Sequence, residues 1–188
     1  MYTLYIDTHS NYVAIVIFKD GKLLDKKESD SAFNHSTNTM PMIQEVLNEK
    51  NLKINDIDEI IVVNGPGSFT GVRIGVTIAK TISYTLNVPI KVISSLLIKA
   101  ISSKIKDEKI TIVSDKNGKF VGEFDQNNKE LSEYKYLKNE EYEGYIQNKK
   151  NIIDMISINY NEVYKYLKDI DKMNPHGVNP LYVKNVEV

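Results

Sequence analysis

The chain has 188 residues, 41% of them hydrophobic, and a formal net charge of -1. That length suits one large domain or two small ones, and near-neutrality argues against a general nucleic-acid or membrane-surface binder. Cysteine is absent, which excludes disulfides, thiolate metal sites and a cysteine nucleophile. The longest apolar run near the start, Val13–Phe18, is too short for a signal core or a membrane span, so a cytoplasmic location is expected.

Residues 2–7, 12–19 and 22–29 predict strands, the last two joined by Asp20-Gly21, a two-residue hairpin signal. A helix follows over 36–50. Met40, Ile43, Val46 and Leu47 form its apolar face, His35-Ser36-Thr37 offers caps, and Pro41 must lie in the first turn or kink the helix. Residues 58–63 read as a central, mostly apolar strand. A helix over 70–87 comes next, then a strand over 88–93 with Pro89 at its start, and a helix over 94–102 capped by Ser94. The order β-β-β-α-β-α-β-α runs an antiparallel meander into parallel crossovers. It predicts an α/β, ribonuclease-H-like, actin-like (ASKHA) domain over 1–102. The charged stretch Ser103–Lys109 marks a boundary. Beyond it a smaller, degenerate α+β domain is expected over 103–188, with strands at 110–114, 119–125 and 131–137, a helix at 161–172 and a tail, 179–188, docked as an edge strand.

Between the fourth strand and the second helix stands Asn64-Gly65-Pro66-Gly67-Ser68-Phe69-Thr70-Gly71-Val72-Arg73-Ile74-Gly75, with the only arginine of the chain. Such a turn needs glycines where φ turns positive or where backbones touch. No register supplies the lysine of a Walker A loop. The spacing Gly65-x-Gly67-x-x-x-Gly71 is one residue too long for a dinucleotide fingerprint, and no acid occurs between Glu59 and Asp107 to hold a ribose. A structural strand-to-helix turn is the better reading, with a nucleotide grip the other.

On the second helix Gly71, Gly75, Ala79 and Ser83 recur every four residues, beside a ridge of Ile74, Ile78, Ile82 and Leu86. Two apolar faces imply burial on two sides. The small-residue ridge either packs on the protein's own core or admits another helix at close range.

The histidines, His9, His35 and His176, form no pair at metal-binding spacing; Val13 and Thr39 stand four residues after the first two. No metal site is expected. Asp7 ends the first strand, where this superfamily keeps a carboxylate for a nucleotide-bound metal, but Thr8-His9-Ser10 follows without a phosphate-approaching glycine. Ser68 has no histidine relay. No catalytic residue is therefore assigned; Asp7, Thr8, Gly65, Gly67 and Ser68 are kept as the candidate, degenerate nucleotide-binding group.

Gly65 to Gly75 resembles the signature of the bacterial TsaB (YeaZ) family, which takes part in making threonylcarbamoyladenosine in tRNA. Ile6-Asp7-Thr8, His35-Ser36 with Met40-Pro41-Met42-Ile43, Asp115-Lys116-Asn117-Gly118-Lys119 and Pro180-Leu181-Tyr182-Val183-Lys184 follow in the family's order. The second half is shorter and more divergent than is usual there. The resemblance implies a non-catalytic activator of TsaD, the paralogue that transfers threonylcarbamoyl to the adenosine beside the anticodon of tRNAs reading codons that begin with adenine. TsaD holds its metal with a His-x-x-x-His pair, where this chain offers His35 and Thr39. The implied partners are TsaD, TsaE in a ternary complex, a second copy when TsaD is absent, and tRNA through the complex. No cofactor is implied beyond ATP or ADP at the complex interface. Pairing through the first two helices implies an interface of Met42, Ile43 and Val46 with Gly71, Gly75, Ile78, Ala79, Ile82 and Ser83. Two rivals remain: a small ATPase or kinase of the actin superfamily, and an inactive glycoprotease-like homodimer.

Overall fold

The computed structural model describes residues 1–30 and 35–183, with the backbone alone at His35. The capping role expected of the His35 side chain, and Lys184 of the tail pattern, lie outside the described residues. β1 (Tyr2–Asp7), β2 (Tyr12–Lys19) and β3 (Lys22–Asp30) form an antiparallel meander. Asp20 and Gly21 both take positive φ, 50° and 80°, which matches the twist of the flanking strands. β4 (Glu59–Val63) and β5 (Ile90–Ile93) add in parallel on the other side of β1, giving the order β3-β2-β1-β4-β5. This is the ribonuclease-H-like arrangement expected from the element order.

Alternation along the strands divides the core in two. Leu4, Ile6, Ile15, Ile17, Ile60 and Val62 bury against α1 (His35–Asn48, with Pro41 inside) and α2 (Phe69–Leu86). Tyr5, Val16, Phe18, Ile61 and Val63 bury on the opposite face, against α3 (Ser95–Ser102) and later elements. The Ser94 side chain caps α3 by accepting the Leu97 N–H, as its sequence position predicts.

A second sheet, ordered β8-β7-β6-β9, is built from β6 (Lys109–Ser114), β7 (Gly118–Phe124), β8 (Lys135–Lys138) and β9 (Ile152–Ile153). α4 (Asn139–Ile146) covers one face through Tyr142. Leu96 and Ala100 of α3 cover the other, so α3 serves both sheets.

Two findings depart from the sequence expectations. α5 (Tyr160–Leu167), grouped by sequence with the second lobe, packs on the first sheet, where Tyr160, Val163 and Leu167 bury beside Tyr5 and Phe18. Buried Lys91, 3.6 Å from Glu59, fixes its end by donating to the carbonyls of Leu167 and Lys168. The expected edge strand at 179–183 is not formed. Those residues belong to an irregular strap, and only Met173 bridges the sheet, opposite Ile90.

Candidate docking face and the glycine turn

The five candidate nucleotide residues do converge, at the carboxyl ends of β1 and β4, but their polar groups are spent within the chain. Asp7 is buried. Its Oδ1 lies 2.6 Å from His9 Nδ1 and accepts the His9 N–H at 3.1 Å. Tyr5 donates its hydroxyl to Asp7 Oδ2 at 3.4 Å, and burial, then the Asp7 charge, pushes that phenol well up. Thr8 Oγ1 donates to the Gly71 carbonyl at 2.6 Å. The Ser68 N–H donates to the His9 carbonyl at 2.7 Å, while Ser68 Oγ caps α2 by accepting the Gly71 N–H.

The glycines of the turn are there for close approach. A Cβ on Gly67 would overlap the His9 carbonyl, and one on Gly75 would overlap Thr8 Oγ1. Gly65 takes φ +103°, a region that side chains disfavour. Ser95, the first residue of α3, closes the turn, its N–H on the Gly65 carbonyl and its hydroxyl on that of Pro66. The turn after β1 thus packs directly on the glycine turn, through the His9 carbonyl and Thr8 Oγ1. Among the described residues no cluster of histidine and carboxylate side chains could hold a metal.

The small-residue ridge faces inward, which corrects the predicted interface. Gly71, Gly75, Ala79, Ile82 and Ser83 are buried in the chain's own interior with Val72 and Val76, as are Met42, Ile43 and Val46 of α1. Ile78 is partly buried against the same core. The physical reason is the Thr8 and glycine contact just described: a bare ridge brings α2 onto the end of β1. Serine 83 is satisfied locally, donating to the Val88 carbonyl at 2.6 Å.

The outward face of the helix pair is therefore made of other residues. On α2 it presents Phe69, Arg73, Thr77, Thr81 and Tyr84; on α1, Met40, Pro41 and Gln44. The strap runs along this flank. Val178 is fully buried in the α2 core, and Lys80 donates to its carbonyl at 2.8 Å. The Leu181 N–H donates to the Asn64 carbonyl, and the Asn64 side chain donates to the Asn179 carbonyl. Tyr182 then meets Arg73, and Val183 packs on the core of the second sheet. The strap was missed by sequence reasoning. No periodic signal in residues 173–183 marks it.

A family model, TsaD: tRNA N6-adenosine threonylcarbamoyltransferase, matches residues 29–167. The chain belongs to this family. Within it, TsaB of Bacillus subtilis (strain 168) is 36% identical over 115 residues, 61% of this chain and 50% of that protein. TsaB of Buchnera aphidicola subsp. Schizaphis graminum is 32% identical over 129 residues, 66% and 61% respectively. Both are named tRNA threonylcarbamoyladenosine biosynthesis proteins, and the chain spans 50 to 61% of the length of these relatives. A Pseudomonas aeruginosa structure, described as similar to peptidase YEAZ, superposes with a TM-score of 0.81 over 97% of this chain and 99% of that one, at 17% identity. The family member therefore has the YeaZ fold, and the likeness to TsaB read from residues 65–75 holds. No helix among the described residues is long and apolar enough to cross a membrane.

Proposed function

We propose that this chain is a non-catalytic partner of a TsaD-type subunit in forming threonylcarbamoyladenosine on tRNA. The observation that carries the reading is the state of the Asp7–Gly75 region. Every candidate for chemistry there is bonded inside the chain, while the outer face of α1 and α2 leaves Met40, Phe69 and Tyr84 exposed. The names and likeness of the TsaB relatives support the pathway.

Docking uses that outer face, not the small-residue ridge. A stable pair would bury roughly 1,200–2,000 Å² and would act by favouring the TsaD state that holds substrate, through differential affinity for that state. TsaE joins the pair, tRNA is reached through the complex, a second copy takes the face when TsaD is missing, and the chain works in the cytoplasm. It needs no cofactor of its own; ATP or ADP belongs to the assembled interface.

Three measurements test this. Deleting the gene should remove threonylcarbamoyladenosine from bulk tRNA, read by mass analysis of nucleosides. Thr81→Arg, in the middle of the outer face, should abolish co-purification with TsaD at an unchanged melting temperature. Undiminished modification after deletion refutes the pathway, and ATP turnover by the isolated chain refutes the non-catalytic role.

A further inference from the structure

Arg73 is the only arginine of the chain, and it is held in an unusual setting for a surface residue. Its guanidinium carbon lies 3.6 Å from the Phe69 ring centroid and 5.6 Å from that of Tyr182. The two rings, 5.8 Å apart, are themselves about half exposed, Phe69 at 48% and Tyr182 at 50%. Arg73 Nε donates to the Tyr182 hydroxyl at 2.8 Å. An arginine offers five N–H donors in a planar fork. Among the described residues only the Nε–H finds an acceptor, and no carboxylate lies within ion-pair distance of the guanidinium.

We infer that Phe69, Arg73 and Tyr182 form the anchor of the docking face and receive a carboxylate of the protein partner. The inference rests on the docking reading above and names the chemistry of its contact. Three arguments carry it. Among the described residues the cation has no carboxylate partner, and α2 bears no acidic residue. The fork is already immobilised by stacking and by Tyr182, so the ordering cost that normally weakens an arginine contact is largely removed. Exposed tyrosine and arginine beside an aromatic ring are the composition of interface hot spots. The strap thereby becomes part of the interface, because it delivers Tyr182.

A nucleic-acid phosphate would also satisfy a guanidinium, but among the described residues the face shows no row of cations such a partner needs. Lys80 is bound to strap carbonyls, and Lys91 is buried.

The test is calorimetric titration of the full chain with TsaD from the same source, at low and high salt. Wild type should bind, more weakly as salt rises. Arg73→Ala should weaken binding about tenfold or more and flatten the salt dependence. Tyr182→Phe, which removes only the hydroxyl clamp, should weaken it about threefold, with circular dichroism checking the fold of each variant. Failure of wild type to bind TsaD refutes the docking reading and the anchor together. If wild type binds and Thr81→Arg blocks it, but Arg73→Ala binds within twofold of wild type, the anchor alone is refuted. An anticodon stem-loop that binds wild type and not Arg73→Ala, with TsaD affinity unchanged, refutes the protein carboxylate in favour of RNA.

Discussion

Gly75→Ala separates an inward ridge from an outward one. On an exposed helix interior, alanine in place of glycine stabilises by about 1 kcal/mol. At Gly75 the new methyl would lie closer than 3.0 Å to Thr8 Oγ1, with Thr8 Cβ at 3.4 Å and Cγ2 at 3.5 Å. Relief requires Thr8 to rotate or shift, because its Cβ and Cγ2 already lie at contact distance. Overpacking of this kind costs about 1–3 kcal/mol. Displacing Thr8 also breaks its bond to the Gly71 carbonyl, a further loss of about 1 kcal/mol. Against the helical gain the net is a destabilisation of about 1–3 kcal/mol. For a chain of this size that lowers the melting temperature by about 2–12 °C. The control is Gly144, exposed within α4 with nothing within 4 Å of an added Cβ; Gly144→Ala should raise stability by about 0.5–1 kcal/mol. Thermal unfolding followed by far-ultraviolet circular dichroism reads both. A Gly75→Ala protein that melts at or above wild type would refute the packing of α2 on β1.

Gly67→Ala drives its methyl into the backbone carbonyl of His9, which no rotamer can relieve; a loss of about 3 kcal/mol or more is expected, measured as a lowered urea midpoint, and an unchanged midpoint contradicts the close approach. Glu123 gives a pH prediction. The Tyr145 hydroxyl at 2.5 Å, aided by Lys149 and Ser132, holds its carboxyl at about 2 against the usual 4.5. Because the folded value lies below the unfolded one, this stabilisation is complete above about pH 4.5 and drains away as pH falls toward 2. Tyr145→Phe should flatten that limb of melting temperature against pH, and an identical limb argues against the contact. Lys80→Met should free the strap, raising amide hydrogen exchange at 178–182 while leaving β1 and β4 protected; unaltered exchange means the lysine does not hold it.

Much of the first lobe was legible because its signals are local. β1 and β2 occupy the residues their patterning predicted, Asp20-Gly21 turns as its composition demands, and α2 begins one residue before the expected Thr70. What could not be read was direction. A four-residue repeat says which side chains share a helix face, not whether that face meets its own sheet or a stranger. Thr8, distant in sequence, decides it. The same holds for α5: Tyr160, Val163 and Leu167 announce an apolar stripe, but only the tertiary fold says that it covers Phe18 and Tyr5. α4 carries few apolar residues beyond Tyr142, Tyr145 and Ile146 and left no clear period. The convergence of Asp7 and Gly67 was foreseen; that His9 would fill the space between them was not, because a single histidine without a periodic partner carries no pattern.

The burial of Val178 in the core under α2, and of Leu167 in the core that holds Phe18, has a consequence for biogenesis. The nascent amino-terminal half leaves the ribosome with both sides of its sheet incompletely clothed, and stays so until Tyr160 to Val178 have been translated. A product that terminates before Asn159 lacks the side chains that cover Tyr5 and Phe18, and is expected to expose that apolar face to chaperones and proteases.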